Sequence, residues 1–375
     1  MKADEQKLAW LQALRGLAAL MVVLLHDRDA LRLLGWNATA DGMLSLGAGV
    51  DLFFVISGFI MVLTTRTFDG SREYVWYFLA KRFARIWPIY AVATAAYVVL
   101  KLCDAQHGAA PRVLMQGIEG LAFVPHDPVR LPVYFQMAVG VAWTLCYEFY
   151  FYVVFGMSML FGRWRYPVLL VWFFATLVIV PAMQGTLDFL VTTVREVHGL
   201  RYTVLALNPI VGDFVFGMLA AWIYTSPRQA HHRLLALGIA AIGVFAFVLT
   251  WHSWGLVNFY GPRGWGLPVA FVFVGIVLAA KPKPLMVPSW ITWFGDISYS
   301  LYLVHVLVFI MLTRTVDGFG MKGFLAGIML FLLQPTLAIM VAALTYRFVE
   351  VPLSAWVRSV LLARHGKIDH ARSLA

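Results

Sequence analysis

Ten apolar stretches, each about 17 to 25 residues long, follow one another along the 375-residue chain, and a run of that length is what an α-helix needs to cross about 30 Å of hydrocarbon. They lie near 8–27, 47–65, 82–102, 139–161, 166–183, 208–225, 233–251, 264–281, 291–313 and 324–346. Hydrophobic residues make up 61% and charged residues 13%, which excludes a soluble domain. Inside lipid the backbone must satisfy its own hydrogen bonds, so the fold class expected is an all-α polytopic bundle of about ten transmembrane helices. The breaks TFDGSRE, FGRWRYP, TSPRQAHHR and AAKPKPLMVP are turn chemistry between helices. No second domain is visible; the reading is a membrane domain over 1–352 and a short basic cytoplasmic tail over 353–375.

An even helix number puts both termini on one side of the membrane. With the N-terminus inside, eighteen of the Lys and Arg residues fall on inner segments and ten on outer ones, Arg15 remaining within a helix; the positive-inside bias therefore predicts both termini cytoplasmic. The net charge of +10 is then an orientation signal and an attraction to anionic lipid, not a nucleic-acid footprint. The N-terminus MKADEQKLAW has little positive charge and no small-residue cleavage site after its apolar run, so it reads as a retained first helix. Two cysteines, Cys103 and Cys146, exclude a disulfide framework. The connection 103–138, rich in proline and alternating apolar residues, reads either as a lid-like segment or as a plain interfacial loop.

Within the first apolar stretch, LQALRGLAALMVVLLHDRDAL, stand Arg15 and His26. Eleven helical positions come to about three whole turns, so both side chains lie on one face, roughly 16 Å apart along the axis. A charged group in hydrocarbon costs on the order of 3 kcal/mol and therefore faces a bundle interior or a watery cavity. The inside-in topology places His26 near the outer end of its helix and Asp51, Glu148 and Asp213 in the outer half of helices two, four and six. An imidazole partnered by a carboxylate is the usual general base at neutral pH. Asp51 at a helix start also fits a capping role, and Arg15 also fits snorkelling. Glu148 has no cation within a turn, so it needs an interhelical partner.

On the inner side, Lys81, Arg82 and Arg85 of FLAKRFARIWPIY begin helix three, and Arg82 and Arg85 share one side, suited to bidentate phosphate contacts. A basic cluster there is also what the positive-inside pattern alone produces. Asp296 and His305 in FGDISYSLYLVHVLVFI are nine positions apart, half a turn out of phase in a continuous helix, and are expected on opposite faces. Ser298, Tyr299, Ser300 and Tyr302 read as a polar path or as interhelical hydrogen-bonding groups. The histidines, including His231 and His232 of an inner loop, lack ligand spacing, so no metal site is expected.

These segments together resemble the acyltransferase type 3 family of bacterial inner-membrane proteins, in its exopolysaccharide-acetylating branch. The likeness rests on LQALRGLAALMVVLLH, GAGVDLFFVISGFIM, KRFARIWPIY, WTLCYEFYFY, ISYSLYLVH and YRFVEVP, in that order over residues 8–352. The resemblance implies an acyl-coenzyme A donor on the cytoplasmic side, acetyl by likeness, and a saccharide acceptor outside. It implies His26 and Arg15 as the catalytic pair and Arg82 and Arg85 as donor contacts. Where the family ends its last motif in Glu-Arg-Pro, this chain has Glu350-Val351-Pro352, which leaves the role of Glu350 open.

Taken together, acyl-coenzyme A is expected as substrate rather than resident cofactor. Its phosphates would dock on Arg82 and Arg85, its arm would rise past Arg15, and its thioester would reach His26, oriented by Asp51 or Glu148. The roughly 29 residues after helix ten leave no room for a periplasmic hydrolase-like domain, so direct transfer to the acceptor is expected. Membrane lipid and polysaccharide assembly proteins are further expected partners. The rival class is a proton-coupled transporter or flippase of lipid-linked saccharide, against which the Arg/His helix has no counterpart in the second half. An acyltransferase for a peptide, lipid or antibiotic would share the same site.

Overall fold

In the computed structural model the described residues are 8–104, 110–125, 137–227 apart from 192, 194, 198 and 199, 233–253 and 260–363. They form α1 (Ala9–Leu33), α2 (Ala48–Thr64), α3 (Arg72–Asp104), α4 (Ala110–Leu121), α5 (Trp143–Met159), α6 (Arg165–Phe174), α7 (Val211–Thr225), α8 (Arg233–Ser253), α9 (Leu267–Ala280), α10 (Ser289–Asp296), α11 (Ser298–Gly318), α12 (Gly323–Thr345) and α13 (Val351–Leu362). The fold is all-α, as its apolar runs dictate. Eight helical segments among the described residues are long and apolar enough to cross a membrane. The fourth and sixth expected stretches are the shorter helices α5 and α7, of 17 and 15 residues.

Small residues set the closest helix crossings, because in lipid association depends on packing and not on hydrophobic exclusion. The α2–α7 crossing brings backbones so near that a Cβ on Gly58 would stand 2.0 Å from the Phe214 carbonyl oxygen, and one on Gly217 1.9 Å from that of Val55. Around this crossing the core is aromatic: Phe54, Phe151 and Phe214 stack with centroid separations of 4.7 and 4.1 Å. The crossing of α1 with α10 follows the same rule, with Gly295 against the Gln12 carbonyl and Gly16 against Phe294.

The connection over 103–138 contains α4, which packs on α3 and is fixed by Trp87 Nε1 donating to the Leu121 carbonyl at 3.0 Å. Residues 126–136 of that connection lie outside the described residues, as do His231 and His232. Cys103 is exposed and Cys146 buried, and both are free thiols. The boundary expected at 352 is crossed by helix: α13 continues to Leu362 and packs on α3, with Trp76 Nε1 donating to the Leu361 carbonyl at 3.4 Å. Residues 353–362 therefore belong to the bundle, and 364–375 lie outside the described residues.

Candidate active site

Arg82 and Arg85 stand one turn apart on α3 and line two neighbouring cavities. One is a cleft of about 550 Å³, lined also by Lys81, Tyr74, Tyr77, Glu350 and Arg358. The other, a narrow space of about 60 Å³, runs deeper into the bundle, where Arg15, Ser57, Glu148, Tyr152, Ser298 and Tyr302 are among its lining residues. Arg82 is almost fully buried, donates to Thr64 Oγ1 at 2.8 Å and lies over the rings of Phe78 and Tyr152. Those contacts fix its planar fork, which suits an anionic oxygen ligand better than a mobile lysine would. Lys81 is exposed at the rim beside Tyr77.

Arg15 reaches the deeper chamber from α1. Its Nη1 donates to Gln12 Oε1 at 2.7 Å and its Nη2 to Ser298 Oγ at 3.0 Å. The chamber thus holds three guanidiniums against one carboxylate, Glu148, a field that favours an anion or a developing negative charge. Glu148 accepts from Ser57 Oγ at 3.2 Å and, in a short bond, from the Tyr152 hydroxyl. This corrects the expected clustering of three acids about His26: Glu148 belongs to the arginine chamber, since the rotation of α5 turns it toward Arg15 and Arg82.

Asp51 is corrected as well. It is wholly buried, with Oδ1 accepting the Gly261 N–H at 2.6 Å, and it faces Asp213 of α7. The two acids form a pair of their own at the start of α9 and do not orient the imidazole.

His26 Nδ1 lies 2.8 Å from the Val22 carbonyl. A carbonyl only accepts, so Nδ1 carries the proton and the Nε2 lone pair is free. The residue is exposed, and the direction matters: Leu17, which is 50% exposed, precedes it by nine positions, half a turn out of phase. His26 lies opposite Leu17 on the face of α1 that it shares with Arg15, with its exposed ring near the C-terminal end of that helix. Its ring neighbour is His305 of α11, at a centroid separation of 5.0 Å.

The chamber does not extend to His26. Tyr302 closes its far end, with its hydroxyl 2.7 Å from Thr144 Oγ1 and 2.9 Å from the Val141 carbonyl, and its ring packed on Phe53 and His305. The expected continuous passage is thus interrupted by one aromatic layer, held shut by hydrogen bonds between α11 and the start of α5.

Asp296 and His305, expected on opposite faces, both turn toward α1. The helix breaks at Ile297 between α10 and α11, so phase is not carried across it. Asp296 accepts from Gln12 Nε2 at 3.1 Å, while His305 meets His26. The segment ISYSLYLVH is in fact the site's spine: Ser298 holds Arg15, Ser300 donates to Glu350 at 2.5 Å, Tyr299 donates to the Ile86 carbonyl at 2.8 Å, and Tyr302 closes the chamber. Tyr152, Ser57 and Thr144 carried no sequence signal, being ordinary residues of apolar helices. Among the described residues no cluster of three metal-ligating side chains occurs.

A family model described as an acyltransferase domain, acyltransferase type 3, matches residues 8–347. The exopolysaccharide production protein ExoZ of Rhizobium meliloti (strain 1021) is 32% identical over 270 residues, covering 69% of this chain and 75% of that protein. No solved structure matches. With a multi-helical membrane bundle, arginines shared by two neighbouring cavities and a match over nearly its whole length, the chain belongs to the acyltransferase type 3 family of membrane O-acyltransferases.

Proposed function

We propose that this enzyme moves an acyl group, acetyl in the first instance, from cytoplasmic acyl-coenzyme A to a hydroxyl of an exported polysaccharide or its lipid-linked precursor. In this reading it sits in the bacterial inner membrane as ten spans with both termini cytoplasmic, alongside polysaccharide assembly proteins. The observation that carries it is that Arg82 and Arg85 line two neighbouring cavities, the deeper of which also has Arg15 in its wall. A phosphorylated, extended donor matches that shape: phosphates in the wide cleft, a narrow arm in the deeper chamber. The similarity to an exopolysaccharide production protein supports the acceptor class.

In the proposed reaction the donor arm displaces Tyr302 from Thr144 and brings the thioester to His26. The free Nε2 of His26 takes the proton of the acceptor hydroxyl; the alkoxide oxygen attacks the thioester carbonyl, the C–S bond breaks, and the thiolate takes the proton back. Arg15, three turns along α1 from His26, faces the donor arm within the chamber and not the reacting carbonyl.

The test uses purified full-length protein in liposomes, with labelled acetyl-coenzyme A on the Arg82 side and saccharide acceptor on the other. Labelled, acetylated saccharide is the expected product, and His26→Ala removes it while the protein still inserts and melts as before. Transport of unmodified saccharide, or full activity in His26→Ala, overturns the reading. Loss of an acetyl signal in the NMR spectrum of polysaccharide from a deletion strain names the acceptor.

A further inference from the structure

A third cleft, of about 720 Å³, opens between α8, α9 and the link that follows α9, and shares no lining residue with the two arginine cavities. α8 and α9 run antiparallel, touching through Gly243 against Val272 and Gly275 against Ala236. The first residue of α8, Arg233, and Lys283, just past the end of α9, therefore border the cleft at one end. The link KPKPLMVP contains three prolines, whose fixed φ stiffens the backbone that carries Lys283.

That end is the one on which Arg82 stands. Lys281 Nζ donates to the Ile223 carbonyl at 2.8 Å, and the neighbouring Tyr224 packs on Trp10 in the first turn of α1 and on Phe59 of α2. Arg82 is bonded to Thr64, the last residue of α2. Lys281 is thus spent on the fold, whereas Arg233 and Lys283 have no hydrogen-bond or ion-pair partner among the described residues. Neither helix nor the link contains an acidic residue. Apart from the two cations the lining of the cleft is apolar, and from Arg233 to Ala240 it follows α8 for about 10 Å into the span. Leu237 and Met286 of that lining are exposed, so the cleft is open to the surrounding bilayer.

We infer that this cleft binds a phospholipid with a net negative head group, its phosphate between Arg233 and Lys283 and one acyl chain along Leu237 and Leu278. Charge and shape together select that occupant. A free anion matches only the charged end and leaves the apolar wall unfilled, while a zwitterionic lipid fills the wall but brings a further cation to the two already there. Basic pockets between membrane helices on the cytoplasmic side hold anionic head groups in this way. The site is separate from the donor cavities, so the inference does not depend on the transferase reading.

The experiment takes full-length protein freed of lipid in detergent and measures lipid binding by native mass spectrometry, with added phosphatidylglycerol or phosphatidylcholine of the same acyl chains. The expected result is one phosphatidylglycerol held about thirtyfold more tightly than phosphatidylcholine, the yield of two cations near an anionic head group. The double variant Arg233→Gln/Lys283→Gln should bind both lipids alike. Ala279→Phe, which fills the cleft and leaves both charges, should weaken both; the melting temperature without lipid is the folding control for each. Equal binding of the two lipids by the parent, an undiminished preference in the double variant, or parental affinity in Ala279→Phe overturns the inference. Displacement of the lipid by millimolar inorganic phosphate overturns it as well, since the cleft is then a site for a free anion. Should Ala279→Phe fail to fold, the parent and the double variant decide.

Discussion

Arg15 on α1 donates to Ser298 Oγ over 3.0 Å, and Ser298 in turn donates to the Gly295 carbonyl at 2.7 Å, so the hydroxyl hydrogen is engaged and its lone pairs face the guanidinium. One serine thereby ties the arginine of the chamber to the helix that also carries Tyr302 and His305. Ser298→Ala is expected to lower kcat/KM by about three- to tenfold, because a single hydrogen bond to a charged group is lost while Gln12 still holds the other nitrogen. Steady-state kinetics in liposomes read this directly; Arg15→Ala should lose far more.

Arg82→Ala and Arg85→Ala are expected to raise the KM for acetyl-coenzyme A by about ten- to a hundredfold each, the equivalent of about 1.5–3 kcal/mol per charge-assisted bond to phosphate. Initial rates against donor concentration measure it. Dephospho-coenzyme A thioesters serve as a control that removes one phosphate from the ligand instead of one cation from the site.

Tyr302→Ala removes both the plug and its bonds to Thr144 and Val141. The expected outcome is acceptor-independent hydrolysis of the thioester, since water then enters the donor chamber from the His26 side. Free thiol release without saccharide detects it, and a variant as tight as the parent would show that Tyr302 is not the barrier.

Gly58→Ala and Gly217→Ala each place a methyl group about 2 Å from a facing carbonyl oxygen. Both helices must move apart, at about 1–3 kcal/mol of overpacking. Thermal melting in detergent should register a clear loss for either, and Gly238→Ala on α8, where a Cβ meets nothing, should leave the melting temperature unchanged or raised.

The connection between α6 and α7 is organised by Arg195 and Asp188. Partial burial pushes the Asp188 carboxylate up, but hydrogen bonds from Thr193 Oγ1 and the Leu190 N–H, with the Arg195 guanidinium, outweigh it and hold it below the usual carboxylate range. Unfolded, the group binds its proton more readily than folded. Its contribution is therefore complete above the ordinary carboxylate pKa and is lost as pH falls through the depressed folded value. Limited proteolysis of this connection should rise on acidification in the parent and be pH-independent, and higher throughout, in Asp188→Asn.

Sequence alone determined the membrane class, the all-α fold and the placement of its apolar runs, because hydrocarbon admits few backbone solutions. It also determined that Arg15 and His26 share one face and that Arg82 and Arg85 share another, since helical phase is local and holds over three turns. Phase failed for Asp296 and His305, where the chain breaks at Ile297 and the count restarts. Only the tertiary structure decided that Glu148 serves the arginines, that Asp51 is spent on Gly261 and Asp213, and that Tyr302 bars the chamber below the His26–His305 pair. Those facts depend on how far each helix is rotated against its neighbours. That rotation is set by close contacts such as Gly58 with Phe214 and Gly295 with Gln12, between residues far apart in the chain, and no periodicity within one helix encodes it.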